Sequence, residues 1–352
     1  MIRQMPGRVY ADSYPAQPMI EQPNELRSRL IELVRSSTTL MRALRAARAA
    51  DPPDWLIGGG VIRDLVWDHL HDPSRQSVPK DIDLAFFDPA SLGDDRERNV
   101  LDALCVHAPD IQWDVKNQAA VHLWYPQVFS VEVEPLVSSA DGVATWPETA
   151  TAVAVRLLAD DTIEVVATHG LQDLFAMVCR RNPRRVTIEE YHRRIQGKPI
   201  ATRWAAVRVL RSATPRDIDS VLSLWKASGG PSSVSDTPES IARLLARDPD
   251  ALLVAESGGV VVGSLIAAWD GWRGSFYKLV VHPDHRRQGL ATELLREGES
   301  CLRARGTVRL TAIVVEDDPA AMAFWEAAGY QRQSQRARFI RNDSEASEHD
   351  GG

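Results

Sequence analysis

Two short stretches of this chain combine residue types and spacings that can do chemistry. In one, Leu279-Val280-Val281 runs through His282-Pro283-Asp284-His285 into Arg286-Arg287-Gln288-Gly289-Leu290-Ala291-Thr292, a strand turning tightly into a helix. The first amides of a helix have no internal acceptor, the helix dipole favours negative charge there, and a glycine lets a ligand approach the backbone closely. With Arg286 and Arg287 alongside, that bend suits a phosphate-like anion. In the other stretch, Gly58-Gly59-Gly60-Val61-Ile62-Arg63-Asp64 precedes Lys80-Asp81-Ile82-Asp83-Leu84. The strand period of two puts Asp81 and Asp83 on one face, where they can share divalent cations. The amides of Gly59 and Gly60, with Arg63 near the helix start, can take phosphates.

The elements that must position these residues follow from the apolar spacing. Leu26 to Leu44 predicts an amphipathic helix or helix pair, broken near Ser36-Ser37 and stopped by Asp51-Pro52-Pro53. Trp55 to Ile57, three glycines, and Val61 to His71 read as strand, turn and helix; Asp81 to Phe87 reads as a strand. Residues 111–124 predict a further strand or two. Thr149 to Leu157 and Thr162 to Val166 predict another pair, followed by a helix over 170–178 and a basic, mostly helical stretch from Val186 to Trp204. The character then changes. Val207 to Leu210 opens a β-α-α-β-β-β-α-β-α-β order: helices over 215–227 and 238–247, strands over 251–256, 260–268 and 275–281, a helix over 290–305, a strand over 308–314, a helix over 319–328 and a final strand over 333–340. The expected organisation is an irregular tail over 1–22, one α+β domain over 23–205, a second over 206–341 and a polar disordered tail over 342–352.

The second half resembles the GNAT family of acetyl-CoA-dependent N-acetyltransferases. Its signature, Arg/Gln-x-x-Gly-x-Gly/Ala, stands here as Arg286-x-x-Gly289-x-Ala291. A segment resembling the family's Asn-x-x-Ala-x-x-Phe-Tyr-x-x-x-Gly-Phe runs from Asp318 through Ala321, Phe324 and Trp325 to Gly329-Tyr330. The resemblance implies a central mixed, mostly antiparallel sheet flanked by helices. It also implies direct attack of an amine on the thioester of acetyl-CoA, with the cofactor held by Leu279, Val280, Val281, Arg286, Arg287, Gln288, Gly289, Leu290, Ala291, Thr292, Asp318, Ala321, Phe324 and Trp325. Three positions depart from the pattern. Trp325 stands where many relatives carry a proton-donating Tyr, Asp318 where Asn is usual, and Tyr277 where some carry a general-base Glu. Proton transfer then falls to water, to Tyr277 or to an unidentified group. The acceptor pocket would come from the loop 228–236, the turn 269–274 and the last strands; Trp272 and Arg273 read first as exposed turn residues.

The first half resembles the polymerase-beta-type nucleotidyltransferases, locally the tRNA CCA-adding enzymes, through Gly59-Gly60 to Arg63-Asp64 and Lys80-Asp81-Ile82-Asp83. Over Trp55 to Asn182 it is more similar to a bacterial nucleotidyltransferase-like family of unknown substrate, through Trp67-Asp68, Trp113 to Ala119, Trp146 to Ala152 and Gly170 to Phe175. The resemblance implies an α/β fold and Mg2+ on Asp81, Asp83 and a third carboxylate. Asp114 is the candidate, with Glu132 and Glu134, two apart on an expected strand, competing. It also implies a nucleoside triphosphate on Gly59, Gly60 and Arg63. Glu189 to Arg193 is faintly similar to the base-templating motif of the CCA-adding enzymes but reads first as a solvated helical face, so RNA is a weakly supported partner.

Composition narrows the classes. A charged fraction of 25% beside 44% hydrophobic residues is that of a globular protein, and 352 residues suit two cores rather than one. A net charge of -7 argues against holding long duplex DNA. Cys105, Cys179 and Cys301 lie far apart without metal-site spacing and read as reduced, buried thiols. No signal-like or membrane-length apolar run appears, so a cytoplasmic protein is expected, acting on a small amine or peptide. Two alternatives stand beside acetyl transfer: nucleotidyl transfer as the main activity, and a non-catalytic sensor of both ligands.

Overall fold

The computed structural model describes residues 23–74, 78–197, 200–230, 232–337 and 339–340; the two expected tails lie outside the described residues. The first half begins with α1 (Pro23–Ser36) and α2 (Thr38–Ala50), which pack Leu30, Val34, Leu40 and Leu44 inward. Ser37 separates them by capping Leu40 N, and Asp51 ends α2 in a left-handed conformation. Then follow β1 (Leu56–Gly58), α3 (Gly60–His71), β2 (Ile82–Phe86), α4 (Asp94–His107), β3 (Trp113–Asn117), α5 (Val121–Phe129), α6 (Ser139–Val143), β4 (Val153–Leu157), β5 (Ile163–Ala167), α7 (Gln172–Phe175), β6 (Val178–Arg180), α8 (Ile188–Gln196) and α9 (Ile200–Arg203). The sheet order is β3-β2-β1-β4-β5, with β2 and β3 parallel and the other pairs antiparallel. Ile57, Ile62, Trp67 and Phe86 are fully buried at its centre, each contributing about 1.5–3 kcal/mol of apolar burial.

The second half comprises β7 (Arg208–Ser212), α10 (Ile218–Ala227), α11 (Pro238–Arg247), β8 (Leu252–Ser257), β9 (Val260–Trp269), β10 (Gly274–Val281), α12 (Leu290–Ala304), β11 (Leu310–Ala312) and α13 (Pro319–Ala327). Its sheet runs β11-β10-β9-β8-β7-β6. The inner pairs are antiparallel, while β10·β11 and β6·β7 are parallel. The apolar side of α12, Leu290, Leu294, Leu295 and Leu302, packs against Leu265, Ala267 and Phe276 of the sheet. β6, which precedes the expected boundary near 205, forms the last strand of this sheet, so the two halves share it. No helix among the described residues is long and apolar enough to cross a membrane.

Four expectations change. Over 111–124 only β3 is a strand: the Asn117 side chain accepts from Ala119 N, caps a 3-10 turn and launches α5. The helix expected over 170–178 is cut to α7, because Met177 takes φ 54 and β6 begins at once. Glu132 and Glu134 are not on a strand; their segment has no strand beside it among the described residues, so alternation alone cannot make one. Residues 333–337 and 339–340 of the expected last strand form no strand either. Its Gln- and Arg-rich sequence offers no apolar face, and Phe339 is 92% exposed.

Candidate functional site

In the second half, a bulge in β10 opens the sheet. Lys278 takes φ 51, and the register against β9 shifts between Tyr277 and Val280. Ser264, fully buried, donates from Oγ to the Lys278 carbonyl at 3.0 Å and accepts from Trp225 Nε1 at 2.8 Å. Lys278 Nζ in turn holds Asp236 at 2.6 Å, tying the loop 228–236 to the bulge. Beyond it, β10 parts from β11: the two pair only over Gly274–Phe276. Val280 and Val281 therefore pair with β9 on one side, and on the other Leu279 to Val281 have no paired strand among the described residues, an edge that can bind an extended chain of amides.

The bend that follows presents backbone. Arg286 Nε donates to Val281 O at 3.1 Å and its Nη2 to Ser228 O at 3.3 Å, bracing the bend against the same loop. Arg287 (φ 64) and Gly289 (φ 82) are both left-handed, an alternation that makes a concave row of N–H groups. Any side chain at Gly289 would strain that conformation. The amides of Arg287, Gln288 and Gly289 have no backbone acceptor among the described residues. Gln288 is exposed, Ala291 and Thr292 sit at the surface of the first turn of α12, and Leu290 is buried as its anchor.

The remaining expected cofactor residues also make contacts within the fold. Asp318 caps α13 by accepting from Ala321 N at 2.9 Å. Trp325 packs among Phe324, Phe276 and Tyr330, at centroid distances of 5.6, 6.0 and 4.8 Å. The Tyr330 hydroxyl donates to Glu299 Oε1 at 2.8 Å; burial and that carboxylate push its pKa well up, so it is a poor proton donor. Tyr277 is 38% exposed on β10, one residue before the bulge. The turn 270–273 closes on Asp270, which accepts from the amides of Trp272 and Arg273, and lies at the end of β10 remote from the bend. Trp272 and Arg273 are turn residues stacked on each other.

In the first half, a cleft of about 210 Å3 is lined by Gly59, Gly60, Asp83, Asp114, Lys116 and Trp146 among others. Asp83 and Asp114 are directly in register on the parallel strands β2 and β3. A Cβ at Gly59 would lie 2.8 Å from Asp83 Oδ2, so only glycine fits beside that carboxylate. Asp81 is exposed ahead of β2 and does not line the cleft, and no group of three metal-binding side chains occurs among the described residues. Two phosphate contacts expected from the glycine motif are engaged elsewhere. Gly59 N donates to Val153 O at 3.1 Å, leaving Gly60 at the helix start as the candidate. Arg63 is buried and holds Asp64 at 2.6 Å, with its guanidinium over the Trp67 and Trp204 rings.

Sequence reasoning missed the far wall of the cleft. Arg194 of α8 pairs with the buried Glu148, whose other oxygen accepts from Thr151 at 2.7 Å. Glu148 and Thr151 lay inside the Trp146 to Ala152 motif; Arg194, 46 residues from its partner, carried no local signal. The stretch Glu189 to Arg193 is not simply a solvated face. Glu190 closes a capping box with Thr187, and Tyr191 is buried, its hydroxyl donating to Cys179 O at 2.9 Å. All three cysteines are free, and of these Cys179 is fully buried while Cys105 and Cys301 are half-buried.

Comparison with known proteins divides the chain in the same way. A family profile described as Nucleotidyltransferase matches residues 45–209, and the profile of the Acetyltransferase (GNAT) family matches 218–330. An acetyltransferase of Yersinia pestis is 39% identical over 117 residues, covering 33% of this chain and 83% of that protein. An acetyltransferase of Sodalis glossinidius is 38% identical over 117 residues, 33% of this chain and 82% of its own length. A solved CCA-adding enzyme head domain is 27% identical, covering 51% of this chain and 93% of that one with a TM-score of 0.44.

Proposed function

Because this chain belongs to the GNAT acetyltransferase family through its second half, with a nucleotidyltransferase domain ahead of it, we propose that it transfers an acetyl group from acetyl-CoA to an amine of a small molecule or peptide. The observation that carries this reading is the pairing of an open β10 edge with an amide-lined bend at the head of α12. When bound, acetyl-CoA supplies the thioester. The bend, with Arg287 and Gly289 left-handed, offers N–H groups to its diphosphate, and Leu279 to Val281 offer backbone to the pantetheine arm. Asp236 and Lys278 fix the loop 228–236 beside the bulge, where the acceptor enters. Trp325 has no acidic proton to give and Tyr330 is held by Glu299, so Tyr277 or water moves the proton. General acid–base help is typically worth about 10² to 10⁴ in rate, and positioning carries the remainder.

Calorimetry with acetyl-CoA tests the reading. Gly289→Glu places a side chain at φ 82 and a negative charge where the diphosphate binds, and its affinity is expected to fall about 100-fold. Unchanged affinity refutes the site. Thiol release from acetyl-CoA with an amine, against none without one, separates an enzyme from a sensor.

A second reading is favoured by Asp83 lying beside Asp114 in the first cleft: this half binds a nucleotide with a divalent cation. The cleft fits a cation on two carboxylates and does not gather the third, so no transfer step follows from it. Mg2+-dependent ATP binding that survives Asp83→Ala with Asp114→Ala would rule out this cleft.

A further inference from the structure

The bend presents its amides only if the peptide planes around Gly289 are turned the right way, and one side chain at the junction with the first half hydrogen-bonds a carbonyl of the bend. Arg208, the first residue of β7, is 14% exposed and lies behind the bend. Its Nη1 donates to the Gln288 carbonyl at 2.7 Å. Its Nη2 donates to Glu293 Oε1 at 2.8 Å and to the Ala176 carbonyl at 3.0 Å, just ahead of β6. There are no cis peptides among the described residues, so the Gln288–Gly289 unit is trans and planar, with C=O and N–H in opposite directions. A carbonyl drawn inward to Arg208 therefore aims the Gly289 N–H outward, into the concavity. Arg287 and Gly289 are both left-handed, a conformation the non-glycine Arg287 rarely adopts unsupported.

We propose that Arg208 is a positioning residue for the diphosphate of acetyl-CoA: by pinning the Gln288 carbonyl and the Glu293 carboxylate to the Ala176 carbonyl, it presets the bend before the ligand arrives. The inference rests on the acetyl-CoA reading above and goes beyond it, because it makes part of the binding energy depend on the junction with the first half. The same junction is reinforced by Arg180 of β6, which bridges Asp173 at 2.9 Å and Glu297 of α12 at 3.0 Å.

The test compares two probes on the full chain: acetyl-CoA, and S-acetylpantetheine, which lacks the diphosphate. In Arg208→Met the Kd for acetyl-CoA is expected to rise about tenfold or more, the scale of a lost charge-assisted hydrogen bond, while that for S-acetylpantetheine stays within about twofold. Arg208→Lys, which keeps the charge and one donor direction, is expected to fall between Met and wild type and guards against a misfolded Met variant. Equal loss for both probes assigns Arg208 a merely structural role and overturns the inference, as does acetyl-CoA affinity unchanged in both variants. A wild-type chain that binds no acetyl-CoA overturns the underlying reading and this inference with it; wild-type binding matched by Arg208→Met overturns this inference alone.

Discussion

The two motif-bearing regions use their signature residues in opposite ways. Around the first cleft, most of the glycine motif is joinery. Arg63 stacks on Trp67 and Trp204, Asp64 and Asp68 take the Arg203 guanidinium, and Asp68 also accepts from Trp204 Nε1 at 2.9 Å. What faces the cleft is Gly59 and Gly60 beside a pair of aspartates brought together by strand register. At the bend before α12, the signature residues stay at the surface, the chemistry is in the backbone, and the supporting contacts come from Arg208 and Ser228, outside the motif. A motif thus locates a site in both regions, but only in the second do most of its residues form the site.

The largest effect that sharpens this contrast is on stability. Trp204→Ala removes a buried ring that meets Trp67 edge-on at 5.2 Å, together with its hydrogen bond to Asp68. Urea unfolding should register a loss of about 3–5 kcal/mol; a loss under about 1 kcal/mol would show that these motif residues are not joinery. Behind the bend, Glu293 is pushed up to about 7, because burial outweighs the attraction of Arg208 and Arg180, with Asp173 pushing the same way. The folded chain therefore keeps a proton there between about pH 4.5 and 7 that the unfolded chain has released. The stability this confers is complete below 4.5 and is lost as the pH rises through 7. Melting curves should show Glu293→Gln gaining on wild type between pH 5 and pH 8; a pH-independent difference would mean that the carboxylate is charged throughout. The smallest effect is at Asp318. Its Ala variant should cost about 1 kcal/mol by loss of the α13 cap and leave acetyl-CoA affinity within about twofold. A larger loss of affinity would place Asp318 in the cofactor site.

Much of this was legible in the residues. Periodicity located α1, α2, β7 to β10 and α12 because each has a strong apolar stripe and a cap or turn at its ends. Asp114, expected as a third carboxylate beside Asp81 and Asp83, stands in register with Asp83 while Asp81 lies outside the cleft, and the bend at Gly289 carried its own signature. The failures share a cause: they depend on contacts distant in sequence. The segment with Glu132 and Glu134 alternates like a strand but pairs with none among the described residues, and 333–337 and 339–340 do not join β11. The ion pair of Glu148 with Arg194 and the brace from Arg208 to Gln288 join residues 46 and 80 positions apart, beyond any local pattern. Arg63 misled because a motif arginine near glycines suggests phosphate, while its true surroundings are two tryptophans supplied by α3 and by Trp204 just after α9.

The central claim is that backbone amides at the bend receive the diphosphate of acetyl-CoA. Hydrogen exchange of the full chain, with and without acetyl-CoA at saturating concentration, tests it at the atoms concerned. Amides from Gln288 to Ala291 should exchange at least about tenfold more slowly with the ligand, while those of Gly59 and Gly60 keep their rates. Saturation with acetyl-CoA that leaves the exchange of Gln288 to Ala291 untouched would contradict the account.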